Sequence, residues 1–143
     1  MSSEYNLQRF VRAQDLVYDD ALDVLRRGMM CTPYMEFIFP RLSPKHAVVT
    51  AMPYAIESLD EASAYLSTPT LGGRYRQCVS TLQRLHDMNV YDVFGREDAK
   101  KLHESLTLFS EAGGAEFLLE TMFDVWFDGL VDEETMTRIK LMS

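Results

Sequence analysis

Apolar side chains recur every three or four residues along most of this sequence, and no other feature limits its possible folds as strongly. Leu71, Tyr75, Cys78, Val79, Leu82 and Leu85 mark one face over about four helical turns. Tyr18, Ala21, Leu22 and Leu25 repeat the pattern, with Gly28 placed to stop it. Leu102, Leu106 and Phe109 repeat it on a helix predicted to start near Arg96. Phe117, Leu118, Met122, Phe123, Trp126, Phe127 and Leu130 do so again toward an end near Gly129. Ser58-Leu59-Asp60-Glu61 has the form of a capping box, in which serine and a glutamate three residues on each satisfy a free backbone N–H. It opens a helix that ends before Pro69, and Asp132 is placed to cap a last short helix reaching Leu141. Period-two alternation is scarce, and no Asn-Gly or Asp-Gly pair joins two β-rich runs. The pattern predicts an all-α fold, one compact domain over residues 1–143 with about six to eight helices.

The stretch between Gly28 and Ser58 is cut by Pro33, Pro40, Pro44 and Pro53. Tyr34 to Phe39 is short enough to be either a helix or an extended segment, and Ser43-Pro44 reads as a cap followed by a first-turn proline.

Charge narrows the functions available. The chain carries 22 acidic and 14 basic residues, a net charge of −8. Nucleic-acid binding rests on clustered Lys and Arg, so DNA and RNA are not expected partners. The excess is uneven: residues 1–103 hold 13 acids and 12 bases, whereas residues 104–143 hold 9 and 2. No apolar stretch approaches the roughly 20 residues of a membrane helix, and no signal-peptide pattern opens the chain. Cys31 and Cys78 lie far apart without a paired motif. A cytoplasmic protein with no membrane partner is the expectation.

Several segments, in order, carry a family likeness: Leu7-Gln8-Arg9-Phe10, Gln14-Asp15 with Tyr18, Phe37-Ile38-Phe39-Pro40, Tyr54-Ala55-Ile56, Leu71-Gly72 with Arg74, Phe94-Gly95, Lys101-Leu102, Ser105 to Phe109, and Phe127-Asp128-Gly129. Together they resemble the bacterial family known as domain of unknown function 1810, some members of which carry a calpastatin-like label. The resemblance implies an all-α domain and no particular activity. The family pattern before Phe-Ile-Phe-Pro is His-Trp-Met-Trp, whereas this chain has Pro33-Tyr34-Met35-Glu36, so Tyr34 and Glu36 stand where the aromatic pair would be.

Five residues are candidates for ligand contact. Arg74 lies in Thr70-Leu-Gly-Gly-Arg-Tyr-Arg76, where two glycines and a helix start can admit an anion, or simply form a tight turn. Lys101 and Ser105 are four apart, a spacing that suits either acyl chemistry with a neutral lysine or a structural ion pair beside a packed serine. Gln14 and Tyr18, also four apart, read as a polar tie between helices or as ligand contacts. His46, His86 and His103 have no metal-ligand spacing and read as surface residues, so no metal and no cofactor are implied. Glu116, Glu120, Asp124 and Asp128 recur every four residues, as a solvated face or as docking ground for a basic protein partner.

No constellation identifies a catalyst, so the sequence leaves two functions open. One is a cytosolic binding or interaction module without catalysis, using the acidic C-terminal face. The other is an enzyme or sensor for a small anionic metabolite, nucleotide or ADP-ribose-like, at Arg74, Lys101 and Ser105.

Overall fold

The computed structural model describes residues 5–43 and 53–142. Among them are eight α-helices: α1 (Gln8–Asp15), α2 (Tyr18–Arg26), α3 (Met35–Ile38), α4 (Leu59–Ser67), α5 (Pro69–Gln83), α6 (Val90–Ala112), α7 (Phe117–Trp126) and α8 (Glu133–Met142). The all-α expectation holds. The pairing of Leu42 with Ile56 is one isolated parallel bridge. The cap expected at Ser43-Pro44 lies outside the described residues.

Tyr34 to Ile38 resolves as helix, with Phe39 just past its end: a 3-10 turn, Thr32–Tyr34, with Pro33 in its first turn, runs straight into α3. The capping box at Ser58 forms in one direction only. Ser58 accepts the Glu61 N–H at 3.1 Å, but the Glu61 carboxylate takes the N–H of Glu57, at 2.9 Å, rather than that of Ser58.

The sequence read α6 as one-sided, and here packing overrides the pattern. Every residue from Glu104 to Ser110 is buried, because α3, α4, α7 and α8 surround this limb. A stretch buried on all sides must satisfy its hydroxyls, and Ser105, Thr107 and Ser110 all find partners. Ser105 shares a 2.9 Å hydrogen bond with the Tyr75 hydroxyl, and Thr107 donates to the His103 carbonyl and accepts the Asp132 N–H. Ser110 donates to Glu120. A run of edge-on and tilted aromatic contacts threads the core around α6: Phe10–Tyr65, Tyr65–Phe109, Tyr75–Phe109, Phe39–Tyr75, Phe39–Phe94 and Phe94–Trp126, with centroids 4.5–6.2 Å apart.

The helix begun at Val90 is broken once. Gly95 has φ 79° and ψ 166°, a conformation that side chains resist, and the limb that runs through the core begins after it at Arg96. This is the start that the Leu102, Leu106 and Phe109 spacing predicts.

Asp132 caps α8, accepting the Thr135 N–H and hydroxyl at 3.0 and 2.7 Å. Burial pushes its pKa up, but these bonds and the Lys100 ammonium outweigh burial and hold it below its usual value. A lowered folded-state pKa gives stability that is present above the ordinary carboxyl value of 3.8 and is lost as pH falls through the folded value. Asp132→Asn keeps the cap but not the charge. It should cost about 1 kcal/mol at pH 7, the difference between charged and neutral hydrogen bonds. Urea titrations should show that gap closing below pH 4; a gap constant with pH would mean that the charge contributes nothing.

Candidate functional site

The five sequence candidates separate into two places. Gln14, Tyr18 and Arg74 come together where α1, α2 and α5 meet. The Gln14 amide donates to the Phe37 carbonyl at 2.8 Å and the Tyr65 hydroxyl at 2.9 Å, and its oxygen accepts from Arg74 at 3.4 Å. Arg74 also holds Asp15 at 2.7 Å and lies over the Tyr18 ring, while Tyr18 donates to Gln77. Burial raises the Tyr65 and Tyr18 hydroxyl pKa values well above their usual range, so both stay neutral donors and acceptors. With Gln14 1% exposed and its hydrogen bonds made within the protein, the cluster has the geometry of the interhelical tie.

The glycines before Arg74 also acquire a structural use. α5 starts at Pro69, ahead of them, and its first turn abuts the end of α4. The Leu66 carbonyl faces Gly72 so closely that any side chain there would overlap it, and the same carbonyl accepts from Arg76 at 3.2 Å. The helix start, read as an anion site or a tight turn, packs as a helix–helix joint, and Arg74 is turned toward Asp15.

Lys101 and Ser105 share a helix, but their polar ends diverge. Ser105 is wholly buried against Tyr75. Lys101 reaches outward to Glu36 at 3.1 Å and Asp98 at 3.6 Å. The acyl-transfer arrangement does not form. The thiol of Cys78 is likewise buried, which pushes its pKa up to about 12, far from a reactive thiolate.

Lys101 instead belongs to an open recess of about 470 Å³ lined by Arg41, Arg96, Glu97, Lys100, Lys101 and Glu104. Two local features build it. The break at Gly95 starts the core limb of α6 at the rim, and residues 96, 100 and 104, with 97 and 101, fall on one side of that limb by their four-residue spacing. Across from them, the chain leaving α3 through Pro40 brings Arg41 in, tied by its carbonyl to the Ile56 N–H at 2.8 Å.

The charges form an alternating chain: Asp98, Lys101, Glu36, Arg41, Glu104, Lys100, Asp132. Its successive contacts are 3.6, 3.1, 3.5, 3.2, 3.4 and 3.1 Å. Asp98, Glu104 and Asp132 are buried acids with side chains 4%, 11% and 9% exposed. Glu36, at 39%, is the acid of this chain that faces solvent. Arg96 stands exposed at the rim. Of these residues sequence reasoning singled out Lys101 as a ligand candidate, Glu36 as a departure from the family pattern, and Arg96 and Asp132 only as helix-end residues. The spacing of Arg96, Lys100 and Glu104 was visible beside them, whereas Arg41 lies 55 positions from Arg96 in a segment whose structure the pattern left undecided.

The acidic stripe is partly occupied. Glu116 accepts from Nε and Nη2 along one edge of the Arg76 guanidinium at 2.9 and 2.8 Å, which lowers its pKa, and Glu120 accepts from Ser110. Asp124 and Asp128 are exposed, with Val125 and Leu130 exposed near them in sequence and Phe117 exposed at the start of α7. Of the histidines, His86 is exposed beside Asp87, whereas His103 stacks on Phe127 at 4.1 Å and bonds the Leu130 carbonyl. His46 lies outside the described residues. Among the described residues no cluster of His, Cys, Asp and Glu suited to a metal occurs, and no helix is long and apolar enough to cross a membrane.

Residues 4–139 match the model of a family described as a protein of unknown function, DUF1810. No curated protein matches the chain. Among solved structures it is similar to the conserved hypothetical protein Rv1873 from Mycobacterium tuberculosis, with 32% identity, 96% of this chain and 98% of that chain covered, and a TM-score of 0.90.

Proposed function

This chain belongs to the DUF1810 family, and from that premise we propose that it is a cytoplasmic binding module for a small anionic metabolite, held without catalysis in the recess at the Gly95 break. One observation carries the reading: four cations from two distant parts of the chain, Arg41, Arg96, Lys100 and Lys101, converge on a single open recess. Arginine supplies planar, paired donors for phosphate or carboxylate, and lysine supplies a mobile point charge. Binding without turnover is favoured because Ser105, the hydroxyl nearest Lys101 in helical spacing, is sealed in the core by Tyr75. The free thiols of Cys31 and Cys78 favour a reducing compartment.

A thermal-shift screen with nucleotides and ADP-ribose tests this. A ligand at 100 times its dissociation constant adds about 2.7 kcal/mol of stability. Arg96→Ala and Lys101→Met should each reduce the shift, whereas Asp124→Lys on α7 should not. A shift indifferent to Arg96 and Lys101, or none across the anions, would sink the proposal.

A further inference from the structure

The recess is lined by the carboxylates of Glu97 and Glu104, and a third acid, Glu36, beside it holds two of its cations. Glu36 sits on the four-residue helix α3 and presents one carboxylate oxygen to each of two cations, Oε1 to Arg41 at 3.5 Å and Oε2 to Lys101 at 3.1 Å. Its neighbours in the chain of charges differ from it in kind. Asp98 is buried and accepts from Thr32 at 2.8 Å, Glu104 is fixed between Arg41 and Lys100, and Asp132 caps α8. Removing Asp98 strands the Thr32 hydroxyl, removing Glu104 takes away the acid shared by Arg41 and Lys100, and removing Asp132 uncaps α8. Moving Glu36 returns an already half-wet carboxylate to water, at the small cost typical of exposed ion pairs.

We propose that Glu36 is a built-in competitor for the recess, and that the ligand is a polyvalent anion whose oxyanion group replaces the Glu36 carboxylate between Arg41 and Lys101 while further negative charge reaches Arg96. This rests on the recess being the binding site. The valence follows from competition. A tethered carboxylate acts at a high effective concentration, so a dissolved monovalent carboxylate gains nothing by exchanging with it. A second anionic group meets Arg96, which no acid of the described residues engages, and that contact has no counterpart in the resting state. Glu36 would thereby exclude simple monocarboxylates and admit molecules such as phosphorylated or polycarboxylic metabolites.

Titration calorimetry with pyrophosphate and with acetate, at low salt, tests the proposal on the whole chain. Pyrophosphate should bind wild type, bind Glu36→Gln about five-fold more tightly, and bind Arg96→Ala more weakly. Acetate should give no heat with wild type and measurable heat with Glu36→Gln. In a carboxylate carbon NMR spectrum of wild type, the Glu36 signal should move on saturation with pyrophosphate while that of Asp132 stays in place. Equal pyrophosphate affinity in wild type and Glu36→Gln, with the loss in Arg96→Ala retained, would overturn the competitor and leave the recess standing. Pyrophosphate binding that ignores Arg96, or is absent even from Glu36→Gln, would remove the recess as an anion site and the competitor with it.

Discussion

Arg9→Ala should be the most damaging single change near the amino terminus, lowering stability by about 3–5 kcal/mol, the typical cost of leaving a buried carboxylate without its partner. In a domain of this size that is a fall in Tm of roughly 10–20 °C. Arg9 uses its full set of five N–H donors: Nε to the Pro53 carbonyl at 2.8 Å, Nη1 to Tyr5 and Asn6 at 2.7 and 2.9 Å, and Nη2 to Ala55 and Glu61, both at 2.9 Å. Glu61 is 3% exposed and faces Arg9 as its one cation among the described residues. The arginine thus ties the segment 53–55, at the end of the proline-cut region, to α1 and α4. The cause can be separated from simple loss of bonds. In the Arg9→Ala background, Glu61→Gln should recover part of the loss, because a neutral amide needs no counter-charge. If the double variant is no better than the single one, the buried charge is not the source of the damage.

Arg9 also shows where the sequence was legible and where it was not. Helix positions followed from local signals: the Ser58 cap, Pro69, the start at Arg96 and the Asp132 cap are each decided by residues within one turn. Burial on one helix face is also local, and the faces of α2 and α5 read correctly from spacing. The core limb of α6 did not, because its burial on every side depends on how many helices surround it, which no window of sequence contains. The same limit hid the recess. Arg41, Lys101 and Glu36 meet only because α3 folds back onto α6, and a lone arginine after Pro40 has no local mark of purpose. Gln14, Tyr18 and Arg74 could be picked out as unusual polar residues, but whether they face a ligand or one another is a question of long-range geometry. Their partners, Phe37, Tyr65 and Asp15, lie on separate elements.

The neighbouring glycines 72 and 73 should respond to alanine in opposite directions. Glycine inside a helix is normally less stable than alanine by about 0.5–1 kcal/mol. Gly73 is exposed with open space where a Cβ would stand, so Gly73→Ala should gain roughly that amount. At Gly72 the Cβ would collide with the Leu66 carbonyl oxygen and carbon, which are backbone and cannot rotate aside. α4 and α5 would have to separate, at a cost of about 1–3 kcal/mol, the range of an overpacked core, and more if the Arg76 bond to Leu66 is lost as well. Urea denaturation of the two variants, with unchanged m-values, measures the difference directly. The sign at Gly72 also decides between the two uses of the glycine pair. A glycine kept so that a ligand can approach the backbone costs stability in the empty protein, and alanine there would stabilise it. A glycine kept for a helix joint does the reverse, so a stabilised Gly72→Ala would return this helix start to the list of anion sites, and a destabilised one leaves the recess at Gly95 as the place to look.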